Sequence, residues 1–315
     1  MYAGPRPAWL DAALLESLDD LAAYPDPTRA EHALAHLHDR QTDEVLATAG
    51  AAEAFTLVAR MRSWRRPIVV HPQFTEPHAA LEQAGHTVHA AHCDAGDGFS
   101  LRSAEAQVPD DADLVVLGNP TNPTGALHPA ADVRRLLRPG RLVVVDEAFM
   151  DTTPGEPESL AAAREPGLVV IRSLTKHWGI PGVRAGYLLA APEVVEELRR
   201  RQTPWAVSAT ASAAMLACAS DVAAAERERR ARTIVRWRRA LEDGLTRLDV
   251  PFVRSSASFV LADVGEGVHA RLRAAGIAVR RADTFPGLGL SWVRIAVRPE
   301  PATHRFLDAL GYCSR

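Results

Sequence analysis

The feature that most constrains the fold is a regular alternation of short apolar runs with helical segments between residues 45 and 190. Seven runs have the length and composition of buried strands: residues 45–48, 68–71, 87–91, 114–118, 142–146, 168–172 and 186–190. Helical segments are predicted between most of them, at residues 51–63, 79–84, 130–137 and 158–164. This alternation is typical of βαβ units, so it predicts an α/β fold with a mostly parallel seven-stranded sheet between helices.

The pattern changes after residue 190. Residues 193–201 and 221–248 read as long helices, and the second is rich in alternating charge, which is typical of a solvated helix face. Short strand-like runs at residues 258–262, 278–280 and 292–297 then alternate with one helix at 268–275. We therefore predict a second, smaller α+β unit at the carboxyl terminus.

Composition excludes several classes of function. The chain has 315 residues, a formal net charge of −3 and 47% hydrophobic residues, which is an ordinary globular composition. The acidic balance argues against nucleic acid or an anionic membrane as a partner, and no apolar stretch reaches the ~20 residues that cross a bilayer. No secretory signal is visible, so we expect a cytoplasmic protein.

Cysteine and histidine spacing gives no sign of a metal site or a disulfide framework. The three cysteines are far apart and odd in number, and no Cys-x-x-Cys occurs. His86, His89 and His92 recur at every third position of a predicted strand, which sends His89 to the face opposite the other two. We expect ordinary surface histidines and no bound metal.

Lys176 is the residue with the clearest chemical meaning. It follows the predicted strand 168–172, with hydroxyls at Ser173 and Thr175 and a guanidinium at Arg184. A lysine amine can form a Schiff base with an aldehyde, and the other three groups can hold a phosphate. Pyridoxal 5′-phosphate (PLP) carries both an aldehyde and a phosphate. The alternative interpretation is a solvated loop lysine.

Three other strand ends carry residues that suit the same cofactor. Gly50, Ala51 and Ala52 open a helix whose free N–H groups could bind an anion, although an ordinary βα turn would look the same. In the proline-rich loop 118–125, Asn122 could present an amide to a ligand. Asp146 ends an apolar strand, where a carboxylate needs a cationic partner such as a protonated pyridine or else caps a helix.

With these motifs the chain resembles the fold-type I PLP-dependent enzymes, aminotransferase class I/II, over nearly its whole length. The resemblance implies a large PLP-binding domain at residues 29–208. Residues 1–28 and 209–315 would then form a small domain, with an amino-terminal segment shorter than in relatives. It also implies a homodimer with shared active sites and a small amino-acid substrate that carries a phosphate.

The resemblance assigns roles by position. Lys176 would form the Schiff base, Asp146 would pair with the pyridine nitrogen, Asn122 would bond the phenolic oxygen and Phe74 would stack on the ring. The remaining implied contacts are the phosphate ligands Ala51, Ala52, Ser173, Thr175 and Arg184, the partner-phosphate ligand Tyr24, and the substrate-anion ligands Arg280 and Arg294. Phe74 could instead be a core residue, Tyr24 a turn residue, and the two arginines merely exposed.

Within the family, residues 172–182 and 146–151 resemble threonine-phosphate decarboxylases of cobalamin biosynthesis, and histidinol-phosphate aminotransferases are the other close match. Three positions depart from the family pattern. Phe149 stands where aminotransferases usually place a tyrosine that bonds the phenolic oxygen. Ser208 and Ser258 stand where many relatives have asparagine. A decarboxylase, an aminotransferase and a non-catalytic PLP-binding protein therefore remain open.

Overall fold

A seven-stranded sheet forms the centre of the protein, in a computed structural model that describes residues 2–313. Its order is β1-β7-β6-β5-β4-β2-β3, and β2 to β6 run parallel while β7 runs antiparallel to both of its neighbours. The strands are β1 Val45–Thr48, β2 Pro67–His71, β3 His89–His92, β4 Leu114–Gly118, β5 Leu142–Asp146, β6 Leu168–Ser173 and β7 Gly186–Leu189. The predicted α/β fold with its mostly parallel sheet is confirmed.

Helices cover both faces of this sheet and continue into the carboxyl-terminal part. They are α1 Ala8–Glu16, α2 Thr28–Leu37, α3 Ala51–Met61, α4 Glu76–Gln83, α5 Leu101–Glu105, α6 Ala130–Arg134, α7 Pro192–Arg199, α8 Ala209–Cys218, α9 Asp221–Arg247, α10 Val268–Ala274 and α11 Glu300–Cys313. In the part of the chain that the structure describes, no helix is both long and apolar enough to cross a membrane.

The central strands are apolar throughout because each of their faces packs into a core. In β4, Val115 and Leu117 belong to one buried cluster, whereas Leu114 and Val116 belong to the cluster on the opposite face. Alternate residues of a strand point to opposite faces, so a strand with two covered faces needs an uninterrupted apolar run. This is why the strands could be predicted within one or two residues.

The helix predicted at residues 158–164 is wrong. Tertiary partners take the backbone groups that a helix would need. Glu147 accepts a hydrogen bond from the N–H of Leu160 at 2.7 Å, and Arg40 donates to the carbonyls of Ala161 and Ala163. The segment is held as turns because these buried charges are satisfied by its backbone.

A second, antiparallel sheet has the order β8-β10-β9, with β8 Phe259–Asp263, β9 Arg280–Arg281 and β10 Trp292–Ala296. It shares a core with α9, α10 and α11. The division of the chain at residues 28 and 208 stays a prediction, and its outer ends at residues 1 and 314–315 lie outside the described residues. Leu10 of α1 and Met215 of α8 pack in the core of the large sheet.

The sheet topology brings the predicted site residues to one edge. Gly118 at the end of β4 pairs with Asp146 at the end of β5, and Asp146 pairs with Ile171 of β6. The chain then turns and returns as β7, so that Gly186 pairs with Ser173. Residues 174–185 therefore lie at the carboxyl edge of the sheet, where ligands of open α/β folds bind.

Candidate active site

A pocket opens at this carboxyl edge of the sheet. It is lined by Ala51, Ala52, Phe55, Phe74, Asn122, Asp146, Ala148, Phe149, Ser173, Thr175, Lys176 and Arg184. Of these, only Phe55 and Ala148 lack a prediction from the sequence. Phe55 lies one helical turn beyond Ala51, so the i, i+4 spacing of α3 was a signal that could have found it.

The amino terminus of α3, Arg184 and two hydroxyls converge at one end of the pocket. Gly50 has a φ of 79°, and a Cβ at this position would lie 2.6 Å from Nη2 of Arg184. The Ser173 and Thr175 hydroxyl oxygens are 2.8 Å apart. Helix N–H groups, hydroxyls and a guanidinium are the donors that bind phosphate, so this end of the pocket is suited to one.

A close approach of two backbones makes this arrangement possible. A Cβ on Gly186 would lie 2.8 Å from the backbone nitrogen of Ala51, so only glycine lets the start of β7 pass the start of α3. Arg184 itself has a φ of 60°, and its Nη1 donates to the carbonyl of Pro181 at 3.0 Å. The turn therefore brings the Arg184 guanidinium over Gly50.

Lys176 and Asp146 lie in the same pocket without neutralising each other by direct contact. The Lys176 Nζ donates to the Thr175 hydroxyl at 3.1 Å. Burial lowers the pKa of Lys176, the charge of Asp146 opposes this, and Arg184 and Arg294 add to the lowering. A lowered pKa increases the fraction of neutral amine, which is the nucleophilic form.

Asp146 is buried and has little that stabilises its charge. Its Oδ1 accepts one hydrogen bond, from the N–H of Ala148 at 3.0 Å, and burial raises the pKa of Asp146 to about 6. Within residues 2–313 no arginine, lysine or histidine forms a salt bridge with it. A cationic ligand group beside this carboxylate would relieve the cost of its burial.

Comparison with known proteins places the chain in a family. The model of aminotransferase class I and II matches residues 2–310. A histidinol-phosphate aminotransferase of Mycobacterium tuberculosis is 44% identical over 299 residues, which cover 93% of this chain and 81% of that protein. The threonine-phosphate decarboxylase of Salmonella typhimurium is 30% identical over 331 residues, covering 96% and 86%. The chain belongs to the class I and II aminotransferase family.

Solved structures share the fold of this chain. The histidinol-phosphate aminotransferase of Clostridium acetobutylicum superposes with a TM-score of 0.90 at 24% identity, and the match covers 98% of this chain and 96% of that one. This likeness shows the fold. The family is PLP-dependent, so this class I and II aminotransferase homologue is a PLP-dependent enzyme.

The residues present in the pocket fit PLP. A half-buried lysine with a lowered pKa stands beside a buried carboxylate that lacks a cationic partner. The anion cradle at Gly50 and Arg184 adjoins the same pocket. When bound, PLP supplies an electron sink for the pair of electrons left when a bond to the substrate's α-carbon breaks.

Arg294 reaches this pocket from β10 of the small sheet. Its Nη1 donates to the Oδ1 of Asn122, and its guanidinium carbon lies 5.0 Å from the centre of the Phe259 ring. Burial lowers the pKa of Arg294 to about 10, and the nearby charge of Arg280 adds to this. The predicted substrate arginine is thus in contact with a predicted cofactor ligand.

Tyr24 and Arg280 do not line the pocket of their own chain. Tyr24 is 76% exposed and stacks on Trp205, with ring centres 4.3 Å apart. Arg280 is exposed, and its Nη2 donates to the Thr284 hydroxyl at 3.2 Å. Neither residue lines the pocket, so both roles stay predictions.

The three departures from the family pattern differ in what surrounds them. Phe149 is 8% exposed and packs edge-on against Phe259, with ring centres 4.9 Å apart. The Ser208 hydroxyl caps α8 by accepting the N–H of Ala211 at 3.2 Å. Ser258 is buried next to Phe259. Phe149 and Phe259 therefore form an apolar wall beside Arg294, whereas the buried Ser258 hydroxyl has no hydrogen-bond partner among the described residues.

Proposed function

We propose that this protein is a PLP-dependent decarboxylase of an O-phosphorylated amino acid, of the threonine-phosphate type. The observation that carries the proposal is Phe149, whose ring, packed against Phe259, forms an apolar wall where aminotransferases usually present a tyrosine hydroxyl. A carboxylate beside such a wall is poorly solvated, and its loss as uncharged CO2 relieves that cost.

Arg294 supports the same choice of reaction. It is a half-buried guanidinium at the edge of the wall, and a phosphate is a stronger ligand for it than a carboxylate is. A substrate held there by its phosphate would leave its carboxylate without an arginine. Binding of the phosphate by Arg294 would therefore leave the carboxylate free to be the group that is lost.

The other pocket residues have these proposed roles. The Lys176 amine would hold the cofactor through its aldehyde carbon, and it would move a proton at the substrate's α-carbon. Asp146 would hold the proton on the pyridine nitrogen, Asn122 would donate to the phenolic oxygen, and the Phe74 ring would pack on the cofactor. The phosphate of the cofactor is bound by Gly50, Ala51, Ala52, Ser173, Thr175 and Arg184.

We also propose a homodimer in which Tyr24 reaches the phosphate of the partner's cofactor. Tyr24 and Trp205 form an exposed aromatic pair, and Trp205 is held at a φ of 56°, which is strained for a bulky residue. Leu15, Leu18 and Leu21 are also exposed nearby in sequence. Large exposed apolar side chains of this kind mark protein interfaces. Sedimentation of the purified protein tests the dimer.

A histidinol-phosphate aminotransferase is the second candidate. The 44% identity to the mycobacterial protein of that name favours it. Its substrate also carries a phosphate that Arg294 could bind, but it has no carboxylate to lose. The two candidates therefore differ in the bond that breaks and not in the cofactor.

The deciding experiment measures CO2 release from O-phospho-L-threonine and, in parallel, transamination of histidinol phosphate with 2-oxoglutarate. We expect a yellow protein that releases CO2 and in which borohydride fixes the cofactor to Lys176, as seen by mass spectrometry. The Lys176→Ala variant is the control and should do neither. Transamination without CO2 release would support the second candidate, and neither activity in a yellow protein would indicate a non-catalytic PLP-binding protein.

A further inference from the structure

We infer that Arg230 of α9, together with the amino-terminal segment formed by residues 2–7, holds the backbone of Lys176 from the side away from the pocket. Arg230 is then a positioning residue for the Schiff base. This inference rests on the proposed role of Lys176. It concerns the far side of the lysine, where no pocket residue takes part.

Arg230 donates from three of its nitrogens to three different parts of the chain. Nη1 donates to the carbonyl of His177 at 3.2 Å, Nη2 to the carbonyl of Pro5 at 2.7 Å, and Nε to Glu226 at 2.7 Å. The side chain is 2% exposed. A buried guanidinium with this many fixed partners has one orientation, so it can hold the segments it bonds in register.

The amino-terminal segment, residues 2–7, supplies the second half of this arrangement, which we call the clamp. The N–H of Tyr2 donates to the carbonyl of Lys176 itself at 3.1 Å. The Tyr2 ring lies 4.4 Å from the guanidinium carbon of Arg230 and stacks on Trp237, with ring centres 5.7 Å apart. Arg230 therefore fixes Tyr2 through its ring, and Tyr2 fixes the lysine through its backbone.

Two successive carbonyls of the lysine segment thus accept from groups outside the large sheet. Residues 174–180 form turns after β6, and such turns lack the ladder of hydrogen bonds that would hold a helix or strand. The guanidinium carbon also lies 5.1 Å from the centre of the Trp178 ring. Loss of Arg230 would free the carbonyl of His177 directly and would loosen Tyr2, whose N–H holds the carbonyl of Lys176. The Lys176 Nζ would then shift relative to Thr175 and Asp146.

Helix α9 connects this clamp to the small sheet. The helix packs in the core of the small sheet through Ile234, Leu241 and Leu245, whereas Arg230 lies closer to its amino terminus and touches the lysine segment. A displacement of the small domain would therefore be passed to the backbone of Lys176. The same domain carries Arg294, which contacts Asn122 on the other side of the pocket.

The test compares Arg230→Met with Arg232→Met. Arg232 is on the same helix, has a side chain that is 72% exposed, and pairs only with Glu228 at 2.9 Å among the described acidic residues. The first measurement is the pH titration of the Schiff-base absorbance. We expect Arg230→Met to shift its midpoint by about half a pKa unit or more, Arg230→Lys to restore part of the shift, and Arg232→Met to titrate as the wild type.

A double-mutant cycle shows whether the clamp acts as a unit. Tyr2→Leu keeps the backbone N–H but removes the ring beneath the guanidinium, so we expect a smaller shift in the same direction. The shift of the double variant should fall clearly short of the sum of the two single shifts. Full additivity, or a wild-type midpoint in folded, PLP-loaded Arg230→Met, would overturn the inference.

A second measurement does not need the cofactor. In the PLP-free protein, hydrogen–deuterium exchange of residues 174–180 should be faster in Arg230→Met than in the wild type and unchanged in Arg232→Met. Unchanged exchange in Arg230→Met would also overturn the clamp. If the wild-type protein bound no PLP while this exchange difference held, the proposed function would fail and the clamp would stand. If Arg230→Met does not fold, Tyr2→Leu carries both measurements.

Discussion

Asp146 and Glu147 are adjacent in sequence and both are buried, yet their carboxylates differ in the number of hydrogen bonds that they accept. Glu147 accepts hydrogen bonds from Arg172 at 2.9 Å, from the Ser159 hydroxyl at 2.7 Å and from the Leu160 N–H at 2.7 Å. Asp146 accepts one, from the backbone at Ala148. One carboxylate is satisfied inside the chain, whereas the other is left to be satisfied by a ligand.

The cations beside them show the same contrast. Arg172 contacts the carboxylates of Glu147, Asp151 and Glu156, which raise the pKa of Arg172 well above its usual value against the cost of burial. Lys176 has one hydroxyl partner and a lowered pKa. The difference teaches that buried charges which are left unpaired, and not buried charges as such, mark the place of chemistry.

The largest effect on stability is expected from Arg172→Met. It would leave three carboxylates buried without their shared cation, and breaking such a cluster costs about 3–5 kcal/mol. Urea unfolding of the PLP-free protein measures this cost. Arg200→Met, which removes an exposed pair with Glu196, is the matched control and should cost less than about 1 kcal/mol. Equal losses of unfolding free energy in the two variants would show that the buried cluster around Arg172 contributes no more than an exposed ion pair.

Asp146→Asn should have the opposite sign in the PLP-free protein. Because burial raises the pKa of Asp146 to about 6 from its usual 3.8, the folded state binds this proton more tightly than the unfolded state does. The wild type therefore gains stability from this group as the pH falls from about 7 to 4, and asparagine removes that dependence. At pH 7.5 the variant should be more stable by roughly 1–3 kcal/mol.

The control for this prediction is Glu147→Gln. Burial raises the pKa of Glu147 as well, but its carboxylate is held by Arg172, Ser159 and Leu160. Loss of that charge leaves Arg172 with one fewer carboxylate, so this variant should be less stable than Asp146→Asn under the same conditions. With PLP added, the wild type should become more stable than Asp146→Asn. The variant lacks the partner of the pyridine nitrogen and should therefore bind PLP more weakly. A stability difference between wild type and Asp146→Asn that did not change with pH would show that Asp146 is satisfied within the chain.

The smallest effect on stability is expected from Phe149→Tyr, within about 1 kcal/mol. The variant is informative because the absorbance spectrum of its Schiff base can be compared with that of the wild type. The added hydroxyl would compete with the Schiff-base N–H for the phenolic oxygen of the cofactor, so the pKa read from the absorbance should fall. Identical titrations of the variant and the wild type would show that position 149 does not reach the cofactor.

The sequence predicted most of the sheet and most of the pocket for one physical reason. Strands covered on both faces are continuously apolar, and in a parallel sheet the residues that follow them gather at one edge. Asp146 was informative because of its position at the end of an apolar strand. Lys176 was informative because of its position after a strand together with its neighbours Ser173, Thr175 and Arg184.

What the sequence did not predict depends on contacts between distant segments. The helix expected at residues 158–164 is absent because Arg40 and Glu147 bind its backbone. Helices α1 and α8 were missed because their alanine-rich sequences have no clear polar face. The contact of Arg230 with residues 5 and 177 joins three segments far apart in the chain, and no local pattern announces it.

The antiparallel return of β7 has a consequence for how such a site could change. Lys176 and Arg184 are separated by one short turn, so a single continuous stretch of about a dozen residues sets the span between the group that would hold the cofactor's aldehyde and the group that would hold its phosphate. The rest of the pocket, which comes from other loops, can vary without altering that span. Relatives could therefore differ in substrate while keeping the same distance between the lysine and the arginine.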